Sequence, residues 1–310
     1  RKDRTSLYSE HATTPWLAQL GDAGTVFEDA LSVSSWTRAS AIGVLTATQP
    51  FALNMGEPAR KQSDRVLPEP ATTLAEHLAA AGWATFGSTA NPNLNQAYGM
   101  AQGMDHYRDS FPRAFKQNRQ TGKRVVAEAL GLLDARTAEE QARPFYLQLM
   151  LIDAHHPRRP NPADVERFEG PLATYDASLL QLDRALLELD TGLVERGYSP
   201  ENTLFVFVAD HGEGLDHPAH HGDGHGKKMY PTSVGIPWVL RGPGVPEGAR
   251  VQGLASGVDV TPTVLGLLGL KDPESSDGHD LSAWVRGERS GPTDRERAFS
   301  GSMFHVADVA

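Results

Sequence analysis

The chain has 310 residues, 39% of them apolar, and a formal net charge of −10. That is material for one large α/β domain or two smaller ones; the acidity argues against a nucleic-acid-binding surface and leaves room for a local cationic pocket. The absence of cysteine excludes disulfides, thiolate metal sites and a cysteine nucleophile, and no apolar stretch approaches the ~20 residues of a membrane span.

Arg1-Lys2-Asp3-Arg4 carries no Met, signal peptide or leading strand, and the chain stops at Asp308-Val309-Ala310 soon after an apolar segment begins. Both ends read as cuts in a longer protein, so the sequence leaves compartment and oligomeric state open; an extracytoplasmic or membrane-tethered place is compatible with a signal or anchor further upstream. Thr13-Thr14-Pro15-Trp16 predicts a helix start with Pro in the first turn, and Thr25-Val26-Phe27 a short extended piece. Ser34-Ser35-Trp36-Thr37-Arg38-Ala39-Ser40 then leads into Ile42, Val44 and Leu45 at helical spacing. Hydroxyls at a helix mouth are helix caps in one reading. In the other, the backbone N–H groups and positive dipole there suit an anionic ester, and a hydroxyl held against a metal can ionise and attack phosphorus or sulfur.

Residues 49–70 read as a loop. Thr73-Leu74-Ala75-Glu76 is a capping box for a helix that Gly82 closes. A strand over Trp83–Ser88 runs into Asn91-Pro92-Asn93, turn formers of which one can also reach a bound oxyanion. Thr121–Leu133 is helical, and Phe145–Ile152 is a long apolar strand that ends in Asp153-Ala154-His155-His156. Gly170–Leu193 carries apolar residues on one helical face and covers the sheet.

Leu204-Phe205-Val206-Phe207-Val208 is a continuous apolar run, the pattern of a central strand buried on both faces. It ends in Asp210-His211-Gly212-Glu213, and five of the twelve histidines lie between positions 211 and 225: His211, His217, His220, His221 and His225. Ligands bind at the carboxyl ends of strands in open α/β sheets, and Asp with His supplies oxygen and nitrogen donors suited to Zn or Mn. Pro237–Leu240 is a further strand, Arg241–Gly248 a loop, Asp259–Leu270 a strand-to-helix passage, and the remainder mostly loop. Strands alternating with helices make an α/β chain with a largely parallel central sheet sandwiched by helices.

The order of these landmarks resembles the sulfatase family of the alkaline phosphatase superfamily over nearly the whole chain. Ser35-Trp36-Thr37-Arg38-Ala39-Ser40 with Leu45-Thr46-Ala47 resembles the nucleophile segment, Asp153-Ala154-His155 the Asp-Pro-His segment, and Asp210-His211-Gly212-Glu213 with His221-Gly222 and Gly224-His225-Gly226 the metal and substrate loops. Arg241-Gly242-Pro243-Gly244 and Asp259-Val260-Thr261-Pro262-Thr263 complete the match. The resemblance implies a single catalytic domain over residues 1–310, truncated at both ends, acting on a small-molecule, lipid or glycan anionic ester with a divalent ion (Zn, Mn or Ca). It implies Thr37 as nucleophile and metal ligand, Asp210, His211 and His221 as metal ligands, and His155 and His225 as catalytic groups; Asn91, His155, His225 and Lys227 would contact substrate.

Three departures shape the expected chemistry. Sulfatases proper convert Cys or Ser at the nucleophile position to formylglycine, which Thr37 does not permit; Thr there resembles the phosphatase, phosphodiesterase and phosphoethanolamine-transferase branches. Ala39 and Ala41 stand where the sulfatase signature has Pro and Arg. The family's first strand, with its Asp ligand, falls upstream of Arg1. The leading expectation is hydrolysis or transfer of a phosphate mono- or diester through phospho-Thr37; the alternatives are a sulfuric ester hydrolase and a non-catalytic relative that binds an anion.

Overall fold

The computed structural model describes residues 1–55, 66–109, 121–215, 218, 224–271 and 275–301. In chain order its main elements are helix α1 (Pro15–Asp22), strand β1 (Thr25–Leu31), helices α2 (Thr37–Thr46) and α3 (Leu74–Ala80), and strands β2 (Ala84–Thr89) and β3 (His106–Arg108). Helix α4 (Thr121–Asp134), strand β4 (Phe145–Met150), helix α5 (Ala173–Glu195), strands β5 (Phe205–Val208), β6 (Trp238–Arg241) and β7 (Ala249–Ser256), and helix α6 (Val260–Leu267) follow. The α/β class read from the sequence is the observed one. Strands β3 and β7 are not announced by the pattern: β3 is three residues long in a stretch without periodicity, and β7 alternates weakly, with Gly253 within it at φ +88°.

Two compact units are formed, the first from Arg1–Asp3, Gln19–Ala71 and Pro200–Ala310, the second from Arg4–Ala18 and Thr72–Ser199. In the first, the described strands run in the order β5-β6-β1-β7. β1 is parallel to β7 and antiparallel to β6, which is antiparallel to β5. The core is apolar and aromatic: Phe27 stacks on Trp238 at a centroid distance of 3.9 Å, and Val26, Ala30, Val239 and Leu240 are buried beside them. Each large side chain so buried contributes roughly 1.5–3 kcal/mol. A Cβ on Gly24 would stand 2.0 Å from the Leu240 carbonyl oxygen, so the entry to β1 requires glycine.

Strand β5 differs from expectation. It pairs with β6 alone among the described strands, and its four residues are partly exposed. The physical reason is that an apolar run reports two covered faces and carries no information on how many ladder edges are paired. Helix α2 is anchored from α6, where the Thr261 hydroxyl donates to the Val44 carbonyl oxygen at 2.7 Å. The turn before α6 is held by Asp259, whose carboxylate accepts the Ser256 and His279 amides at 2.7 and 2.8 Å and pairs with buried Arg295.

The second unit contains a parallel sheet in the order β3-β2-β4. Helix α3 packs on β2, and α4 lies on β2 and β4. The long helix α5 packs on α4 and so covers the sheet from the next layer out. The capping box forms as read: Glu76 N donates to Thr73 Oγ1 at 3.2 Å and Thr73 N to Glu76 Oε2 at 2.8 Å. Asp183 of α5 accepts the Trp16 and Leu17 amides at 2.9 Å, satisfying two donors that the first turn of α1 leaves unpaired.

Burial outweighs these two bonds and pushes the Asp183 carboxyl up to about 6. A carboxyl that binds its proton more tightly when folded adds stability in acid, and that share fades as pH rises from about 4 to about 6. Urea titrations across this window are expected to show Asp183→Asn flattening that slope. Asp183→Ala is expected to cost about 2 kcal/mol or more, because both amides are left without an acceptor.

Candidate active site

The site is assembled where β1 and β5 end. Past β1 the chain turns through Ser32 and Ser34 to Trp36, whose extended backbone (φ −132°, ψ 131°) starts α2 with no side-chain cap. An indole cannot accept the first-turn amides, so the positive end of this ten-residue helix is not masked by its own N-cap residue. Thr37 is the first helical residue and is 2% exposed. Of the hydroxyls at the helix mouth, Ser34 Oγ donates to the Gly301 carbonyl oxygen at 2.9 Å and accepts the Trp36 amide at 3.3 Å. Ser40 Oγ donates to the main-chain carbonyl of Asp210, and Ser32 Oγ lies within hydrogen-bond reach of the same oxygen and 2.7 Å from Ser40 Oγ. One serine after β1 and one in the first turn of α2 therefore grip the segment that follows β5.

That grip sets Thr37 against His211. Thr37 Oγ1 is 3.0 Å from His211 Nε2, and His211 Nδ1 is 2.7 Å from the Gly212 carbonyl oxygen. A carbonyl only accepts, so the ring proton sits on Nδ1 and Nε2 keeps a lone pair, to which the Thr37 hydroxyl donates. Asp210 Oδ1 accepts the His211 amide at 2.9 Å, while Oδ2 lies 3.4 Å from the same Nε2. Burial holds the His211 imidazole below its usual pKa against the opposing pull of Asp210. A neutral ring thus turns its lone pair toward a carboxylate oxygen, two acceptors whose repulsion a cation between them would relieve.

The donors fit a divalent ion by chemistry: His211 Nε2 lies near a hydroxyl, that of Thr37, and near a carboxylate oxygen, that of Asp210. Among the described residues no group of three or more His, Asp or Glu side chains is arranged to hold a metal. His221 lies outside the described residues, as do His217 and His220.

His225 joins the cluster: its ring centroid is 4.5 Å from that of His211, and its Nδ1 is 3.3 Å from both carboxylate oxygens of Glu213. Lys227 is exposed, two residues further on. The structure therefore brings Thr37, Asp210, His211 and His225 together within the first unit. The sequence reading assigned no role to Ser32 or Glu213. Glu213 adjoins the Asp-His pair and was within reach of inspection; a serine one residue after a strand gives no signal.

The remaining candidates belong to the second unit. Asn91, at the end of β2, is 3% exposed, and its Oδ1 accepts the Asn93 amide at 2.9 Å, the turn-forming role. His155 follows β4 and donates from Nδ1 to the His156 carbonyl oxygen at 2.5 Å. The two strand-end aspartates part company. Asp153 is buried and accepts from Thr121 Oγ1, Gly122 N and Gln181 Nε2 at 3.0, 2.6 and 2.6 Å, so it ties α4 and α5 to the end of β4.

A family model described as Sulfatase matches residues 1–270. The low-salt glycan biosynthesis sulfotransferase Agl7 of Haloferax volcanii is 40% identical over 85 residues, covering 27% of this chain and 21% of that protein. Human arylsulfatase K is 31% identical over 82 residues, covering 26% of this chain and 15% of that protein. The matched stretch thus spans about a fifth or less of these curated relatives. A Bacteroides thetaiotaomicron structure described under metabolism of multiple glycosaminoglycans aligns at TM-score 0.75 and 19% identity, covering 90% of this chain and 70% of that one. The phosphonate monoester hydrolase of Agrobacterium radiobacter aligns at TM-score 0.72 and 18% identity, covering 94% and 76%. At such identities the structural likeness shows the fold, that of the alkaline phosphatase-like enzymes.

The loop bearing His211 rests on close backbone packing. Gly212 N donates to the Ser233 carbonyl oxygen at 2.8 Å, and a Cβ on Gly212 would stand 2.0 Å from the Thr232 carbonyl oxygen. Gly212→Ala is expected to lower unfolding free energy by more than about 2 kcal/mol, read from urea titration. A change within about 0.5 kcal/mol would show that the loop yields without strain.

Proposed function

Because the chain belongs to the sulfatase family, a family of ester hydrolases, we propose that it hydrolyses anionic esters with divalent-metal dependence, and that Thr37 attacks a phosphate mono- or diester. The carrying observation is the 3.0 Å contact between Thr37 Oγ1 and the lone-pair nitrogen of His211 at the positive end of α2. Asp210, His211 and Thr37 would hold the ion. When bound, it would lower the cost of ionising the Thr37 hydroxyl and offset charge on the transferred group.

The chain's own residues have separable tasks in this reading. His211 Nε2 orients the Thr37 hydroxyl while no ion is bound and would turn its lone pair to the ion when one is, and the first-turn amides of α2 receive the anionic group. A bond forms from Thr37 Oγ1 to phosphorus as the hydroxyl proton leaves to solvent and the bond to the leaving oxygen breaks, and that oxygen takes a proton from His225 in its protonated form. Water then attacks phospho-Thr37, releasing phosphate and restoring the hydroxyl. Lys227 is the group proposed to contact the ester's remaining oxygens. The absence of cysteine, together with Thr at the nucleophile position, supports phosphorus over sulfur.

A sulfuric ester is the second reading, favoured by the similarity to relatives such as arylsulfatase K. A glycan-borne ester is the substrate class that the glycan-related names favour for either reading.

Turnover of aryl phosphate mono- and diesters and aryl sulfate, before and after chelator treatment, tests the proposal. Thr37→Ala is expected to lose about 10³-fold or more in kcat, and Thr37→Ser to retain most of it. Chelation is expected to abolish activity and added Zn or Mn to restore it. Equal turnover by Thr37→Ala removes Thr37 from the mechanism, and a strong preference for sulfate overturns the choice of phosphorus.

A further inference from the structure

Glu213 is a carboxylate that is 7% exposed, two residues beyond His211, with no part in the chemistry so far. Its placement is built by backbone on both sides. Glu213 N donates to the Thr232 carbonyl oxygen at 2.9 Å and Gly212 N to that of Ser233 at 2.8 Å. Gly214 N donates to the Gly224 carbonyl oxygen at 2.9 Å and lies 3.1 Å from Glu213 Oε1. The same amide thus holds both the carboxylate and the residue that precedes His225.

This arrangement puts both carboxylate oxygens 3.3 Å from His225 Nδ1. An ionised carboxylate accepts only, so the hydrogen of the neutral ring belongs on Nδ1 and Nε2 is left with its lone pair. A second-sphere carboxylate on one ring nitrogen fixes tautomer and ring orientation for the other. Free neutral imidazole favours the opposite tautomer, so the preference has to be imposed.

We propose that Glu213 is a positioning residue that locks His225 as the Nδ1–H tautomer and so makes Nε2 the atom through which protons pass to and from the ester. The assignment rests on the hydrolase reading above. In it, His225 enters the first step as the imidazolium, its Nδ1 hydrogen held by Glu213; the Nε2 proton moves to the departing oxygen as the bond from phosphorus to that oxygen breaks, which leaves the neutral Nδ1–H tautomer. The water that cleaves phospho-Thr37 returns a proton to Nε2, while the Nδ1 hydrogen stays on the ring, hydrogen-bonded to Glu213, throughout. The remaining Nε2 reacts only if Nδ1 keeps that hydrogen, which is the work of Glu213.

Two measurements on the 310-residue chain test this. The first is ¹⁵N-histidine NMR at alkaline pH, with the His225 signals assigned through His225→Gln. Wild type and Glu213→Gln are expected to show His225 protonated on Nδ1, and Glu213→Ala to revert to Nε2. Protonation on Nε2 in wild type, or an unchanged tautomer in Glu213→Ala, overturns the proposal. The second compares a nitrophenyl ester, whose leaving group needs no proton, with an alkyl ester of the same acid. Glu213→Ala is expected to lose about 10²-fold more kcat on the alkyl ester than on the nitrophenyl ester, and Glu213→Gln to recover most of that difference. Equal losses on both esters mean that Glu213 only supports the fold, which overturns the assignment. Should wild type turn over neither ester, the hydrolase reading falls, while the tautomer comparison still decides for or against the hold of Glu213 on His225.

Discussion

The hydrogen bonding of Ser32 and Ser40 around the main-chain carbonyl of Asp210 is the constraint on which the candidate centre depends. It joins the end of β1, the first turn of α2 and the end of β5 through one oxygen. Buried backbone acceptors must find donors; here the donor requirement also fixes a distance. With Asp210 held from α2, Thr37 at the head of that helix can only stand beside His211, the residue that follows Asp210. The 3.0 Å contact between them is a consequence of that join.

Around this join charged and polar groups crowd together, and the buried amino group of Arg1 is near enough to interact with both Asp210 and Glu213. His211 is neutral because it is buried, and its open nitrogen faces both the Thr37 hydroxyl and an Asp210 oxygen. The α2 terminus adds positive potential at the hydroxyl. A carboxylate, an imidazole lone pair and a hydroxyl gathered at a helix amino end form a site that invites a cation on one side and an anion on the other. An ester-cleaving centre needs that pairing, and a packed core would avoid it.

Aspartates of similar sequence context are used in opposite ways. Asp153 and Asp210 both follow apolar strands and both precede histidine, yet Asp153 is buried under three donors while Asp210 keeps an oxygen toward His211. Gly122 explains the first: a Cβ there would lie 2.7 Å from Asp153 Oδ2, so the start of α4 comes close enough to donate directly. Nothing comparable closes over the second carboxylate oxygen of Asp210 among the contacts described.

Much of this protein was legible before its structure. Local rules were enough for α1, the capping box at Thr73, the two apolar strands and the α/β class, because caps and hydrophobic period act over a few residues. The motif around Asp210 and His211, and the hydroxyls at the mouth of α2, pointed to the residues that the structure gathers into the candidate site. Strand β7, the edge position of β5, the grip of Ser32 on Asp210 and the different fates of Asp153 and Asp210 were decided only by tertiary packing. Each depends on partners more than twenty-five residues away, and a side chain's own neighbours in sequence carry no record of which distant backbone atom it will meet.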